Sequence, residues 1–182
     1  DSTGGPDWPS LIFEASAPTM HPDRVTIETI LGEALYLQGR LDESASILLD
    51  ALRKNTELFG PNSVGAVDDL DRLAAVRYAQ RNLGEAESYS REAVARARIV
   101  FGEEHSGTAN VAMTLARTLT DLGKYQEAEA TLREALAIFV EKLPSDHQYT
   151  ASAEYFLGEV LLATNRPGYP EAKVTASMNP WT

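Results

Sequence analysis

The chain has no cysteine, and its 182 residues include only three histidines, three methionines and two tryptophans. Without cysteine there is no disulfide and no thiolate chemistry, and the redox compartment is left open. Basic residues are scarce: 16 Lys and Arg face 27 Asp and Glu, for a formal net charge of −11. Long-range repulsion therefore disfavours nucleic acid and anionic membrane surfaces as partners. No apolar run approaches the roughly 18–20 residues that span a bilayer. No signal-peptide pattern stands at the start, so the expected location is cytoplasmic. The first residue is Asp1 rather than Met, which points to processing or to excision from a longer polypeptide.

Catalytic motifs are missing as well. There is no phosphate loop, no dinucleotide glycine fingerprint and no HExxH, and Pro61-Asn62-Ser63-Val64-Gly65 lacks the first Gly of a nucleophile elbow. Carboxylates occur in pairs, but nothing in the pattern is expected to desolvate and tune them. Asp68-Asp69-Leu70-Asp71 has neither the mid-loop Gly nor the downstream Glu of a calcium loop, and reads as carboxylates on a solvated helix surface. Arg91, Arg96 and Arg98 are interleaved with Glu92 and read as a surface face rather than a phosphate site. No catalytic residue, cofactor or metal is expected.

What the sequence does contain is a period of 42 residues. His105 is matched by Ser63, His21 and His147, and Leu115 by Leu73, Leu31 and Leu157. Ala128 is matched by Ala86 and Ser44, and Phe101-Gly102 by Phe59-Gly60. One spacing carrying apolar, small and glycine positions together is the mark of a repeat architecture. The clearest unit is His105–Lys142, two amphipathic stretches joined at Asp121–Tyr125. The histidines sit at equivalent places of different units. Helices pack about 8–10 Å apart and zinc ligands lie at about 2 Å, so His21, His105 and His147 cannot share one ion. They are expected to help start each unit.

The chain divides accordingly. Residues 1–20 read as a Gly/Pro-rich linker followed by Ser10–Ser16. There Ile12-Phe13 lies three periods before Ile138-Phe139, and Pro18 three periods before Pro144. This stretch is either the remnant of a preceding second helix that caps the stack or an ordered apolar tail. Four units follow, at about 21–60, 63–102, 105–144 and 147–178, the last incomplete. Val25, Leu31, Leu35 and Tyr36 recur at helical spacing in the first unit, with Ser44, Leu48 and Ala51 at small-large-small positions. Ser63 is a natural N-cap. The turn of the second unit is Gln80-Arg81-Asn82.

The pattern Leu115-Ala116, Leu119, Gly123, Ala128, Leu132, Ala135 resembles the tetratricopeptide repeat, a helix-turn-helix unit usually of about 34 residues. The longer spacing, with Phe101-Gly102-Glu103-Glu104-His105 and Lys124-Tyr125-Gln126-Glu127-Ala128-Glu129, is similar to the kinesin-light-chain type. The resemblance covers roughly Pro22 to Lys173, and it implies Gly at the place of Arg81, so that a positive φ there would cost the second unit slightly. It implies an all-α helical-repeat solenoid, a right-handed superhelix whose first helices line a concave groove. Carried across residue by residue, the groove positions are Thr29, Glu33 and Tyr36, then Asp68, Asp71 and Tyr78. They continue with Asn110, Met113, Arg117 and Asp121, and end with Tyr155 and Glu159. Lys, Asn and Arg that would clamp a terminal carboxylate are replaced by Thr29, Glu33 and Asp71.

The function the resemblance implies is a non-catalytic scaffold that binds a peptide or partner protein, basic or amphipathic to suit the carboxylates. The alternative is a regulatory or substrate-recruiting segment of a larger bacterial signalling enzyme, a Ser/Thr kinase or signal-transduction ATPase. An incomplete end with an apolar face also offers a route to self-association through the repeat ends.

Overall fold

The computed structural model describes residues 22–164, and among them every regular element is an α-helix. The first helices of the units are α1 (Pro22–Leu37), α3 (Val64–Ala79), α5 (Ser106–Asp121) and α7 (Gln148–Ala163). The second helices are α2 (Leu41–Phe59), α4 (Leu83–Phe101) and α6 (Tyr125–Lys142). Each begins 42 residues after its predecessor of the same kind. The stretch before Pro22, the turn at Arg166–Ala172 and the second helix of the fourth unit lie outside the described residues.

The turns show why the helices stop where they do. In the first three units the first helix is followed by a residue of positive φ: Gly39 (75°), Arg81 (61°) and Gly123 (73°). Around each, a backbone N–H reaches back over the last turn: Arg40 to the Leu35 carbonyl, Asn82 to Arg77, and Lys124 to Leu119, at 2.8–2.9 Å. This closure satisfies carbonyls that the helix end would orphan. The strained conformation expected at Arg81 is present, and Gly takes it without penalty in the other two turns. First helices start on side-chain caps. Ser63 Oγ accepts from Ala66 N–H, while Nδ1 of His105 and of His147 accepts from the N–H two residues on. His105 and His147 thus start their units, each with one ring nitrogen engaged by the backbone, and His21 lies outside the described residues.

Within a unit the two helices pack at small residues. The position after the leucine that recurs every 42 residues holds Gly32, Ala74, Ala116 and Gly158, all buried. At Gly32 even a methyl group would meet Leu48 Cγ at 2.6 Å. Ser44 Oγ donates to the Gly32 carbonyl at 2.7 Å, where the next two units have buried Ala86 and Ala128. Between units, each first helix also packs against the second helix that precedes it. The core therefore runs along the stack from Ala45 and Leu48, past Leu70, Leu73, Ala93 and Leu119, to Phe139, Leu157 and Leu161.

One expected core residue departs from this. Leu31 is 45% exposed, although its equivalents Leu73, Leu115 and Leu157 are buried. Those three lie beneath a preceding second helix, and no such helix precedes α1 among the described residues.

Leu73 is fully buried at the junction of the first two units. Truncation to Ala should cost about 2–5 kcal/mol as a cavity that stiff neighbours cannot close. Urea denaturation followed by circular dichroism should show the midpoint fall accordingly, and an unchanged midpoint would remove Leu73 from the core.

Candidate functional site

Successive first helices approach one another along the stack, α1 to α3, α3 to α5 and α5 to α7, whereas successive second helices do not. The stack therefore curves with the first helices on its inner side. Their inward residues sit at three- and four-residue spacing on the faces turned away from the second helices.

Side chains link these faces into a ladder. Glu33 on α1 pairs with Arg72 on α3 at 2.7 Å, and Arg72 also reaches Asp68 at 3.0 Å. The Arg117 guanidinium on α5 lies 4.3 Å from the centroid of the Tyr78 ring on α3, a cation–π contact. Tyr78 hydrogen-bonds Asp121, and Asp121 accepts from Arg81 at 2.9 Å. Burial first, then that carboxylate, pushes the Tyr78 phenol above its usual range. On α7 the Tyr155 hydroxyl donates to Glu159 at 2.9 Å.

The expected groove residues are thus not equivalent in their surroundings. Glu33, Asp68, Asp71, Tyr78, Arg117 and Asp121 come together in the middle of the inner face, and Tyr155 and Glu159 stand further along it. Asn110 is half-buried on α5. Tyr36 is half-buried against Ala45, Leu48 and Leu73. Thr29 and Met113 are each only 7% exposed. They share one register position with Asp71 and Tyr155, a position turned toward the neighbouring first helix.

The acidic run Asp68-Asp69-Leu70-Asp71 corrects the sequence reading most sharply. A helix turns about 100° per residue, so four consecutive residues cannot share a solvated face. Asp68 points to the groove, while Asp69 is fully buried against α1 and α2. Thr29 Oγ1 donates to Asp69 Oδ1 at 2.7 Å, and Asn55 Nδ2 donates to its Oδ2 at 2.5 Å. Burial outweighs these donors and pushes the Asp69 carboxyl up to about 6. Asp71 is likewise pushed up to about 6 by burial, against a hydrogen bond from Thr114. Its Oδ1 and the nearby Arg117 Nε have no hydrogen-bond partner among the described residues. The fold therefore does desolvate carboxylates, contrary to expectation. Neither has a nucleophile or a second titrating group arranged for proton transfer, and the described residues bring no three metal-ligating groups together.

A second hollow escaped the sequence reading. A cleft of about 620 Å³ opens between α4 and α6 with α5 as its floor, lined by Val94, Ala112, Leu115, Thr131 and Ile138. Ala112 stands where the preceding unit has Leu70, and Thr131 where it has Tyr89. Comparing side-chain volumes one period apart would have signalled it. Arg91 pairs with Glu127 across its rim at 2.7 Å, and Lys124 with Glu87. The arginine-rich face of α4 is in this way largely committed to internal ion pairs, with Arg96 also reaching the Pro61 carbonyl at 2.8 Å.

Comparison with known proteins follows this geometry. The tetratricopeptide-repeat family model matches residues 67–141 and 108–168, and a second model of the same description matches 30–64. The chain belongs to the tetratricopeptide-repeat family. Among solved structures it is similar to BtubC (BKLC) from P. vanneervenii, at 21% identity and a TM-score of 0.76, covering 94% of this chain and 67% of that one. It is also similar to a putative kinesin light chain of Podosopora anserina with nearly identical TPR-like repeats, at 21% identity and a TM-score of 0.73. That match covers 80% of this chain and 69% of that one. A search of the curated proteins returned no match. At these identities the structures establish the fold, which is the helical-repeat solenoid of kinesin-light-chain-like repeats. No helix among the described residues is long and apolar enough to cross a membrane.

The buried carboxylates set a pH dependence. Both folded-state values are raised, so the folded chain holds these protons more tightly than the unfolded chain does. Their contribution is fully present below about 4 and is lost as pH rises through about 6. Asp71→Asn should flatten part of this slope and raise the relative stability at pH 8 over that at pH 4. Parallel urea titrations at the two values would show it, and an Asp71→Asn slope identical to wild type would mean that Asp71 is not desolvated.

Proposed function

We propose that the chain is a non-catalytic scaffold that binds a peptide or partner protein along the inner face of its first helices. Tetratricopeptide repeats commonly mediate protein–protein contacts, and the observation that carries the reading here is the centre of the ladder. Arg117 is spread on the Tyr78 ring beside Asp71, whose Oδ1 is buried and unmatched. A rigid aromatic with a stacked guanidinium is the type of group that anchors interfaces.

The partner chemistry follows from charge. Glu33, Asp68, Asp71, Asp121 and Glu159 outnumber Arg72 and Arg117 along the inner face, and Arg72 is already shared by Glu33 and Asp68. A basic or amphipathic segment fits this surface, with a Lys or Arg side chain set against Asp71 and an apolar side chain against Tyr78.

Selection from a displayed random-peptide library tests the reading. Wild type should enrich basic or amphipathic peptides, and Tyr78→Ala or Arg117→Glu should weaken them at least about tenfold, the size of one anchor of ~1.4 kcal/mol. A cation on Asp71 favours its ionised form, so affinity should rise from pH 5 to pH 7, and Asp71→Asn should abolish that rise. Peptides indifferent to all three substitutions would place the binding surface elsewhere.

A further inference from the structure

Two equivalent gaps separate neighbouring second helices, one between α2 and α4 and one between α4 and α6. In the first, bulk fills the space. Leu70 is fully buried there, Leu52 and Tyr89 pack against the core, and Arg96 crosses from α4 to the Pro61 carbonyl at 2.8 Å. One period on, the same four positions hold Ala112, Val94, Thr131 and Ile138. Each is smaller or shorter than its counterpart, and all four line the cleft of about 620 Å³. The second gap is hollow because four positions change together, and its volume is that of a small-molecule pocket.

The hollow is bounded along its length. Arg91 pairs with Glu127 across one end, beside Lys124 and Glu87, and the loop residues Glu103 and Glu104 stand at the other. From Arg91 to Arg98 the wall helix α4 rises roughly 10 Å, enough for one compact body and too short for a run of extended peptide. The cleft also lies on the second-helix side of the stack, away from the inner face.

Its walls and mouth differ in chemistry. Val94, Ala112, Leu115 and Ile138 make the walls apolar. Arg98, Glu103, Glu104 and Glu134 are exposed at the mouth. Arg91 is spent on Glu87 and Glu127. No ion pair among the described residues engages Arg98, Glu103 or Glu134, while Glu104 acts on Lys142 through space. Three carboxylates therefore stand against one free guanidinium, and an anion at the mouth would be repelled by all three.

We propose that this cleft binds a small organic cation, an apolar body the length of the hollow that ends in an ammonium group. The body displaces water from the apolar walls, and the ammonium stays at the mouth among Glu103, Glu104 and Glu134, where exposed charge pairs add a modest preference for its sign.

Amide chemical-shift titration of the full chain at neutral pH tests the site with phenylbutylammonium, phenylbutanol and phenylbutanoate. The ammonium should give saturating shifts at Val94, Ala112, Thr131 and Ile138. The alcohol should bind about two- to fivefold more weakly, the size of exposed charge pairs, and the carboxylate more weakly still. Ala112→Leu/Thr131→Tyr puts back the residues of the chain's own filled gap. It should keep the helical circular dichroism and weaken the ammonium at least about tenfold, because the walls no longer enclose a space. Glu103→Gln/Glu134→Gln should erase the preference for ammonium over alcohol, and Tyr78→Ala on the inner face should change nothing here. Shifts that do not saturate, undiminished binding to the filled variant, or a carboxylate that binds best would overturn the proposal. So would a wild-type dimer by light scattering that the filled variant dissolves, since a second copy would then be the occupant. Should the filled variant lose its fold, the order of the three probes on wild type still decides.

Discussion

Every part of this molecule depends on one contact: the seating of a first helix beneath the second helix of the unit before it. A single helix pair has an apolar stripe on each side and cannot bury both. Stacking buries the second stripe, so the stability of a unit is shared with its neighbours. Leu73, Leu115 and Leu157 occupy that contact in three successive units. The small residue beside each of them lets the partner helix of the same unit approach closely. The turn of positive φ then returns the chain at a fixed angle, and the 42-residue period is the consequence.

The same contact decides what the inner face can be. With the outer flank of each first helix committed to the core, only the opposite flank is free to meet its equals along the stack. Those flanks carry polar side chains, and they are close enough to bond across units: Glu33 to Arg72, Tyr78 to Arg117 and Asp121. The inner face is thus held by its own cross-unit contacts, and on the reading proposed above that order lowers the entropy lost when a partner binds. Where the units differ in bulk, as at Ala112 and Thr131, the stack gapes on the other side instead.

Much of this was legible in the sequence, because a repeat reports the same physics several times. The period pointed to the helix pairs found among the described residues and to the starts at Ser63, His105 and His147, and the resemblance pointed to the positive φ at Arg81. It failed where a position's surroundings differ between units. Leu31 has the leucine of its register but lacks a described covering helix. Thr29 and Met113, expected in the groove, are each 7% exposed, and Asp71 in the same register is desolvated as well. Asp69 was misread because acidic residues are usually solvated. Its partners Thr29 and Asn55 are 40 and 14 residues away, and no local pattern announces them.

The central claim is that the inner face of the first helices is the recognition surface. Amide chemical-shift mapping of the full chain, titrated with the tightest peptide from the library selection, tests it directly. The account predicts the largest shifts at Glu33, Asp71, Tyr78, Arg117 and Asp121, with the second helices nearly silent. Shifts gathered instead at Val94, Ala112, Thr131 and Ile138 would contradict it and move the site to the cleft between α4 and α6.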